Sequence, residues 1–193
     1  GYNDEVAPEG GSPFRPLYDD KIKFNGQPIA LVLAQDSETA RFAATLVHID
    51  YDEEKHATDL HGRLDKAYVV EKPDKPRGNA TKAFAASAVR HEGEYFIPIE
   101  HHNPMELFAT TVVRSGDGKL TVFDKTQGVQ NVHRYVCGVF GLKPDDVRVM
   151  SPYVGGAFGS GLRPQYQVVL AMQGALQLKR SVRLVLTRDQ MYG

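Results

Sequence analysis

Four glycines crowd into the stretch from 155 to 161, and this cluster constrains the fold around it more than any other feature of the sequence. Glycine adopts positive φ at little cost and lets another group come close to the backbone. An apolar run at 147–150 precedes the cluster, and an apolar-rich pattern at 165–178 follows it. The order is therefore strand, glycine loop and helix. Such a loop typically offers backbone N–H groups to an anionic, phosphate-bearing cofactor.

The spacing of these glycines fits neither of the two best-known phosphate-binding motifs. Gly-x-Gly-x-x-Gly requires a different spacing, and no Gly-Lys-Ser/Thr sequence follows the cluster. From the residues alone, three interpretations therefore stay open: a glycine-rich turn with no ligand, an unrelated anion-binding domain, and a cofactor loop of another kind. Arg163, beside the loop, could meet a phosphate or a substrate carboxylate, although a plain surface arginine is the better explanation.

Size and composition exclude several classes of protein. The chain has 193 residues, 41% of them hydrophobic, which is enough for one large domain or two small ones. A net charge of -1 gives no electrostatic reason to expect nucleic acid or an anionic membrane as a partner. No apolar run approaches the ~18 residues of a membrane span. The single cysteine, Cys137, excludes an internal disulfide and a thiolate zinc site, and its apolar surroundings predict a small buried hydrophobe.

The first part of the chain has the pattern of a small β-β-α-β unit. Residues 1–17 are rich in glycine and proline and predict an irregular arm. Three strands are expected at 21–24, 29–34 and 47–51, with Asn25-Gly26 as a hairpin turn between the first two. A helix is expected to start at Asp36 or Ser37, either of which can cap it. Residues 71–79 have the composition of a linker.

The second part alternates strands and helices. After a short helix at 81–87 and an extended stretch at 88–99, the predicted elements are strands at 107–113 and 120–124, a helix at 129–140 ended by Gly141, a strand at 147–150, a helix at 165–178 and a strand at 182–186. This mixture of helices and strands predicts an α+β (mixed α/β) fold.

Four motifs, at 100–106, 126–130, 149–161 and 182–188, occur in one order along the chain. Together they resemble the molybdenum-cofactor subunit of the xanthine dehydrogenase and aldehyde oxidase family, above all its bacterial aldehyde oxidoreductase branch. Residues 29–51 resemble the small α/β hammerhead domain of that family. The resemblance implies an N-terminal arm and hammerhead-like domain over 1–71, and a partial molybdopterin-binding domain over 80–193.

This resemblance implies a molybdopterin enzyme that oxidises aldehydes to carboxylic acids with water as oxygen source. The cofactor would be molybdopterin, including its dinucleotide form, and electrons would leave through iron–sulfur and FAD-binding domains or subunits. Gln127 would correspond to the family glutamine that hydrogen-bonds the apical ligand of molybdenum. The loop residues expected to wrap the cofactor, without ligating the metal directly, are Gly155, Gly156, Ala157, Phe158 and Gly159, with Phe158 and Gly159 nearest the metal.

Departures from the family pattern narrow this expectation. Ala157 stands where the family often has glycine, and 162–163 lacks the polar residue used in purine binding, which argues against xanthine as substrate. The family's catalytic base is a glutamate near the far C-terminus of a much longer chain, and no residue here matches that motif. We therefore expect an N-terminal fragment without a catalytic residue, inactive and without cofactor in isolation, whose partners include the rest of the large subunit.

Other interpretations stay open beside this one. A non-catalytic assembly module or split subunit, which completes its fold with a partner chain, is the main alternative. Apolar surface left uncovered would favour homo-oligomers. Glu106 could be a buried carboxylate that bridges backbone donors, or a surface charge. His101 and His102 invite a metal interpretation, but neighbours on an extended segment point to opposite faces, which favours packing instead.

Overall fold

The computed structural model describes residues 14–69, 75 and 77–192. The predicted arm over 1–17 and the predicted linker over 71–79 lie largely outside these residues. Backbone contacts divide the chain into two units, one formed by 1–47 together with 100–193 and the other by 48–99. No helix within the described ranges has the length and apolar character needed to cross a bilayer.

Mixed helices and strands confirm the predicted fold class. The helices are α1 (Ser37–Thr45), α2 (Ala80–Ala86), α3 (Val129–Phe140) and α4 (Tyr166–Leu178), and the strands are β1 (Ala109–Arg114), β2 (Leu120–Asp124), β3 (Val147–Met150) and β4 (Val182–Val185). Single 3-10 turns lie at His61–Lys66, Pro144–Asp146 and Asp189–Met191. From β1 to β4 the bounds fall within two residues of those expected from sequence.

The four strands form one sheet in the order β3-β2-β1-β4. β1 runs antiparallel to β2 and to β4, whereas β2 and β3 are parallel. Parallel neighbours need a crossover, and α3 provides it between β2 and β3. The segment after β2 and the segment after β3 therefore leave the same edge of the sheet, and these segments contain Gln127 and the glycine loop respectively.

The hydrophobic core lies between this sheet and the helices α3 and α4. Its members alternate along β1 and β2 and recur at helical spacing along α3 and α4; they include Val112, Val122, Val132, Val136, Val168 and Met172. Gly141 ends α3 in the left-handed conformation, with φ of 62°, as its place after the last apolar residue predicted. Cys137 packs against this core, and burial raises the pKa of its thiol, so it behaves as a small hydrophobe.

The strands predicted over 21–24, 29–34 and 47–51 are wrong as individual elements, because none of these segments forms a ladder with another described residue. The local features do form: Gly26 has φ of 84° in the expected turn, and Asp36 caps α1 through the Thr39 N–H. Leu33 packs against the core at Gly174, where a Cβ would lie 2.8 Å from the Leu33 side chain. Apolar side chains in this region therefore pack on a helix without strand pairing.

The unit formed by 48–99 contains α2 and the 3-10 turn, and neither element buries a residue. Asn79 caps α2 by accepting a hydrogen bond from the Lys82 N–H at 2.9 Å. The stretch expected to be extended, 88–99, forms no strand with any described residue. Its large apolar side chains are exposed.

Candidate functional site

The glycine loop owes its shape to three residues in the left-handed region. Gly156 and Gly159 have φ of 90° and 98°, and Phe158 between them has φ of 55°. That conformation is uncommon for a residue with a side chain, and such outliers gather where a loop is held by its surroundings. Ala157 is buried, whereas Phe158 is 72% exposed, so the Phe158 side chain is not part of the core.

Gln127 lies against this loop, on the segment that joins β2 to α3. Its backbone N–H donates to the Gly161 carbonyl at 2.8 Å, and its side-chain Oε1 accepts from the Gly159 N–H at 3.2 Å. The Thr126 hydroxyl donates to the same Gly161 carbonyl at 3.0 Å. These are tertiary contacts across more than 30 residues of sequence, so Gln127 is neither a helix cap nor an isolated surface amide. The residue at the N-cap of α3 is Gly128.

Gly161 explains why the two segments approach so closely. A Cβ at this position would lie 3.3 Å from the Ala157 Cβ and 3.6 Å from the Gln127 backbone nitrogen. The space for a side chain is thus taken by neighbouring groups. The absence of a side chain at 161 lets the loop rest on the backbone of Gln127.

The glycine loop leads to helix α4 through a short connection, close to where the sequence pattern predicted the helix. Four residues, 162–165, separate Gly161 from the start of α4 at Tyr166, and the buried Pro164 lies among them. The N–H groups of Gly155 and Gly159 donate to side chains of the protein itself. Two of the loop N–H groups that the sequence offered to an anion are therefore already used within the protein.

Glu106 holds the other end of the loop. Its backbone N–H donates to the Gly155 carbonyl at 3.1 Å, and its carboxylate accepts from the Gly155 N–H at 2.6 Å. A Cβ on Gly155 would lie 2.8 Å from the Glu106 Cβ, so only glycine fits beside this side chain. The Glu106 side chain is half-buried and its carboxylate accepts from one backbone N–H. It therefore lies between the two interpretations left open from sequence, a buried carboxylate that bridges backbone donors and a surface charge.

Arg188 secures the segment that carries Glu106. Its guanidinium donates to the Pro104 carbonyl at 2.6 Å, to the Met105 carbonyl at 3.0 Å and to the Asn103 side chain at 2.8 Å. Asn103 has φ of 38°, a conformation that these contacts help to hold. Arg188 belongs to the motif at 182–188 that carries the family resemblance. The sequence did not indicate that its guanidinium binds residues 103–105.

A buried lysine on the segment that carries Gln127 escaped the sequence analysis. Lys125 is 4% exposed, and its Nζ lies 4.1 Å from the centre of the Phe108 ring without a hydrogen-bond acceptor among the described residues. Burial lowers the pKa of Lys125, and the negative charges of Glu106 and Asp124 act in the opposite direction. No sequence pattern marks this lysine, because lysines are almost never fully buried.

Asp124, the neighbour of Lys125, is buried as well. It accepts hydrogen bonds from the Thr110 hydroxyl and from Gln167 Nε2, the latter at 3.4 Å. Burial raises the pKa of Asp124 to about 6, although these hydrogen bonds and the Lys125 charge act to lower it. The alternating pattern of β2 predicted an inward-facing position here, but not an acidic side chain in it.

No cluster of three histidine, cysteine or acidic side chains suited to a metal ion occurs in the described part of the chain. His101 packs its ring edge-on against Tyr192, with 5.0 Å between the ring centres. His102 lies near Gly159, where its Nε2 would be 3.8 Å from a Cβ on that glycine. The adjacent histidines therefore contact different neighbours.

Comparisons with known proteins support the resemblance. Residues 61–192 match the family described as Molybdopterin cofactor-binding domain, and residues 3–55 match the family described as Aldehyde oxidase and xanthine dehydrogenase, a/b hammerhead domain. Aldehyde oxidoreductase molybdenum-binding subunit PaoC of Escherichia coli (strain K12) is 34% identical over 88% of this chain and 23% of its own length. Aldehyde oxidoreductase of Megalodesulfovibrio gigas is 29% identical over 87% of this chain and 20% of its own length.

The fold agrees with these relatives. The crystal structure of quinoline 2-oxidoreductase from Pseudomonas putida 86 superposes with a TM-score of 0.82, at 23% identity, over 98% of this chain and 27% of that one. The chain thus spans about a quarter or less of the relatives it matches. With one family match covering most of its residues, the chain belongs to the aldehyde oxidase and xanthine dehydrogenase family, in its molybdopterin cofactor-binding part.

Proposed function

We propose that this chain holds part of the molybdopterin cofactor of a molybdenum hydroxylase, with Gln127 and the loop residues Gly155, Gly156, Ala157, Phe158 and Gly159 as its contacts. The observation that carries the proposal is the hydrogen bond from the Gly159 N–H to Gln127 Oε1 at 3.2 Å. It brings a neutral amide and a glycine loop from two separate segments to one place. The membership of the chain in the family supports this assignment.

The hydrogen-bond donors of Gln127 and the glycine loop suit a molybdopterin cofactor. A molybdenum centre with oxo, sulfido and dithiolene ligands, and a phosphate tail, is rich in hydrogen-bond acceptors. Because Oε1 of Gln127 faces Gly159, its Nε2 is available to donate, and it has no acceptor among the described residues. The N–H groups of 156–158 likewise have no acceptor within the described ranges. These donors are therefore free to bind an acceptor, with the exposed ones giving up water to do so.

In the whole protein, the activity we propose is the oxidation of aldehydes to carboxylic acids. When bound, the cofactor supplies the oxidation of the substrate carbon, with water as the oxygen source. The residues of this chain bind and orient that group, and none of them serves as the general base. We propose iron–sulfur and FAD-binding domains or subunits as the electron-transfer partners, together with the rest of the large subunit.

We further propose that 1–71 forms the arm and hammerhead-like domain and that 80–193 is the first portion of the cofactor domain. The two family matches, over 3–55 and 61–192, support two successive parts, but they meet at 56–60, before the proposed linker. Limited proteolysis of the purified protein tests it, since the first cuts should fall between 72 and 79.

The test of the proposed function is the cofactor content of a Gln127→Ala variant. The native gene product is purified from cells supplied with molybdate, and molybdenum is measured by mass spectrometry and pterin by fluorescence after oxidation. The variant should lose most of its molybdenum and its aldehyde oxidation, because it lacks the amide that faces Gly159. Gln130→Ala, an exposed glutamine on α3, is the matched control and should retain both.

Two results would contradict this proposal. One is a wild-type protein without molybdenum or pterin. The other is a Gln127→Ala variant that keeps the molybdenum content and the aldehyde oxidation of the wild type.

A second candidate is an assembly module that completes its fold with a partner chain and binds no cofactor. The exposed apolar side chains at 95–99 favour it, since uncovered apolar surface of this size often marks an interface. Co-purification of a stoichiometric partner chain, with no molybdenum in the complex, would support this candidate over the first.

A further inference from the structure

The glycine loop is held at two separate points. Gln127 contacts Gly159 and Gly161 at one end, and Glu106 contacts Gly155 at the other. Residues 156–158, whose N–H groups have no acceptor in the described part of the chain, lie between these points. The direction of those N–H groups therefore depends on both holding points, and Glu106 controls one of them.

Glu106 holds Gly155 with more than one contact. The Glu106 N–H donates to the Gly155 carbonyl at 3.1 Å, and the Gly155 N–H donates to the Glu106 carboxylate at 2.6 Å. The shorter bond goes to a carboxylate, and such charge-assisted bonds are roughly twice as strong as neutral ones. Close contact at Gly155 leaves no room for a Cβ, so the peptide at 155 has one position against this side chain.

Two cations support Glu106. Arg188 fixes the preceding residues through the Pro104 and Met105 carbonyls, so the backbone of Glu106 starts from a fixed place. Lys125 is buried, and the charge of Glu106 acts to raise the pKa of Lys125. A buried ammonium without a hydrogen-bond acceptor is costly unless opposite charge lies near it. Holding a carboxylate beside the loop is a structural reason for a lysine at this position.

We propose that Glu106, anchored by Arg188 and attracted by the buried ammonium of Lys125, is a positioning residue that sets the glycine loop opposite Gln127. An effect of Glu106 on cofactor binding rests on the proposed function, whereas its effect on the position of the loop does not. Glu106 is not assigned a contact with the cofactor; it acts through Gly155.

Hydrogen exchange of the loop amides tests this directly. In a Glu106→Ala variant the Gly155 N–H loses its acceptor, and its exchange should accelerate by about tenfold or more, the equivalent of one hydrogen bond to a charged group. Glu106→Gln keeps an oxygen acceptor and should restore most of the protection. The midpoint of thermal unfolding should hardly change in the Gln variant, which separates local positioning from a general loss of stability. Glu94→Ala, an exposed glutamate in the other unit, is the control.

Lys125→Met provides a second variant should Glu106→Ala fail to fold. It removes the attracting charge but keeps the acceptor, so Gly155 exchange should rise by a smaller factor than in Glu106→Ala. Unchanged Gly155 exchange in the Glu106 variants overturns the proposal, whatever their molybdenum content. Faster Gly155 exchange in a protein whose wild type binds no molybdenum supports the positioning role and contradicts the proposed function. Faster exchange together with reduced molybdenum supports both.

Discussion

Asp124 and Gln167 are neighbouring buried side chains, and they have more oxygen acceptors than the described hydrogen-bond donors around them can satisfy. Asp124 receives hydrogen bonds from Thr110 and Gln167, whereas Gln167 Oε1 has no donor among the described residues. A buried acceptor without a donor costs roughly 1–3 kcal/mol. A protonated Asp124 would add one O–H donor to this group. The environment therefore favours the neutral form of the carboxyl group, which agrees with the raised pKa.

Asp124 should make the folded state less stable as the pH rises through the range in which it ionises. Its pKa is about 6 in the folded protein, against 3.8 for an unperturbed aspartate. Because the folded state binds this proton more tightly, the stabilisation is complete below pH 3.8 and is lost between there and pH 6. At about 1.4 kcal/mol per pKa unit, the loss is on the order of 3 kcal/mol.

An Asp124→Asn variant isolates this contribution. It stays neutral at every pH and supplies N–H donors. The difference in free energy of unfolding between this variant and the wild type should therefore rise by up to about 3 kcal/mol from pH 4 to pH 7. Urea unfolding at each pH measures the difference. Asp145→Asn, an exposed aspartate, is the matched control and should run parallel to the wild type. A constant difference between Asp124→Asn and wild type across this range would contradict the assignment.

At the scale of elements, the features that depend on neighbouring residues, namely turns, helix caps and helices, were predicted correctly from the sequence. The turns, caps and helices were found because Asp36, Asn25-Gly26 and Gly141 act on their immediate neighbours. Strands β1 to β4 were found because each is a short segment rich in apolar or β-branched residues, and these segments pack against one core. The segments before and after α1 have a similar composition, yet they form no ladder, since pairing depends on a distant segment that no pattern identifies.

The candidate site was predictable only in part for the same reason. Family motifs pointed to Gln127 and the loop, and their side-by-side arrangement follows from the parallel pair β2 and β3. Glu106 was recognised as one of two alternatives. Lys125 was not recognised, because its burial depends on a tertiary contact with Phe108, the residue that precedes β1.

Helix α1 depends on its cap more than the other long helices do. It buries no residue, so packing contributes little, and an isolated helix of nine residues is marginal in water. The Asp36 carboxylate accepts from the Thr39 N–H at 2.7 Å. Asp36→Ala should therefore unravel the first turn. Carbon-13 chemical shifts of 37–45 report the loss residue by residue.

Arg41→Ala is the control for α1, because this exposed residue lies in the same helix and alanine favours helix. Its shifts should stay helical or become more so. Equal helicity in Asp36→Ala and wild type would show that tertiary contacts, rather than the cap, hold α1.

At the scale of the whole chain, burial is distributed unevenly. The sheet with α3 and α4 contains the core, whereas the elements of 48–99 bury no residue. Within that unit, Tyr95, Phe96, Ile97 and Ile99 are 69% to 85% exposed. Four large apolar side chains within five residues, in a segment without strand pairing to any described residue, form a short apolar strip that water disfavours.

This strip, 95–99, should drive the isolated chain to self-associate. Sedimentation velocity over a concentration series should show the wild type shifting to larger species, because association removes the strip from water. A double variant, Ile97→Ser with Ile99→Ser, should shift the distribution towards the monomer, and it leaves the ring contact of Phe96 with His61 in place. Tyr153→Ser, an exposed aromatic outside the strip, is the control and should associate like the wild type. A wild type that stays monomeric at every concentration would show that the strip is too small, or too well solvated, to bind a second copy.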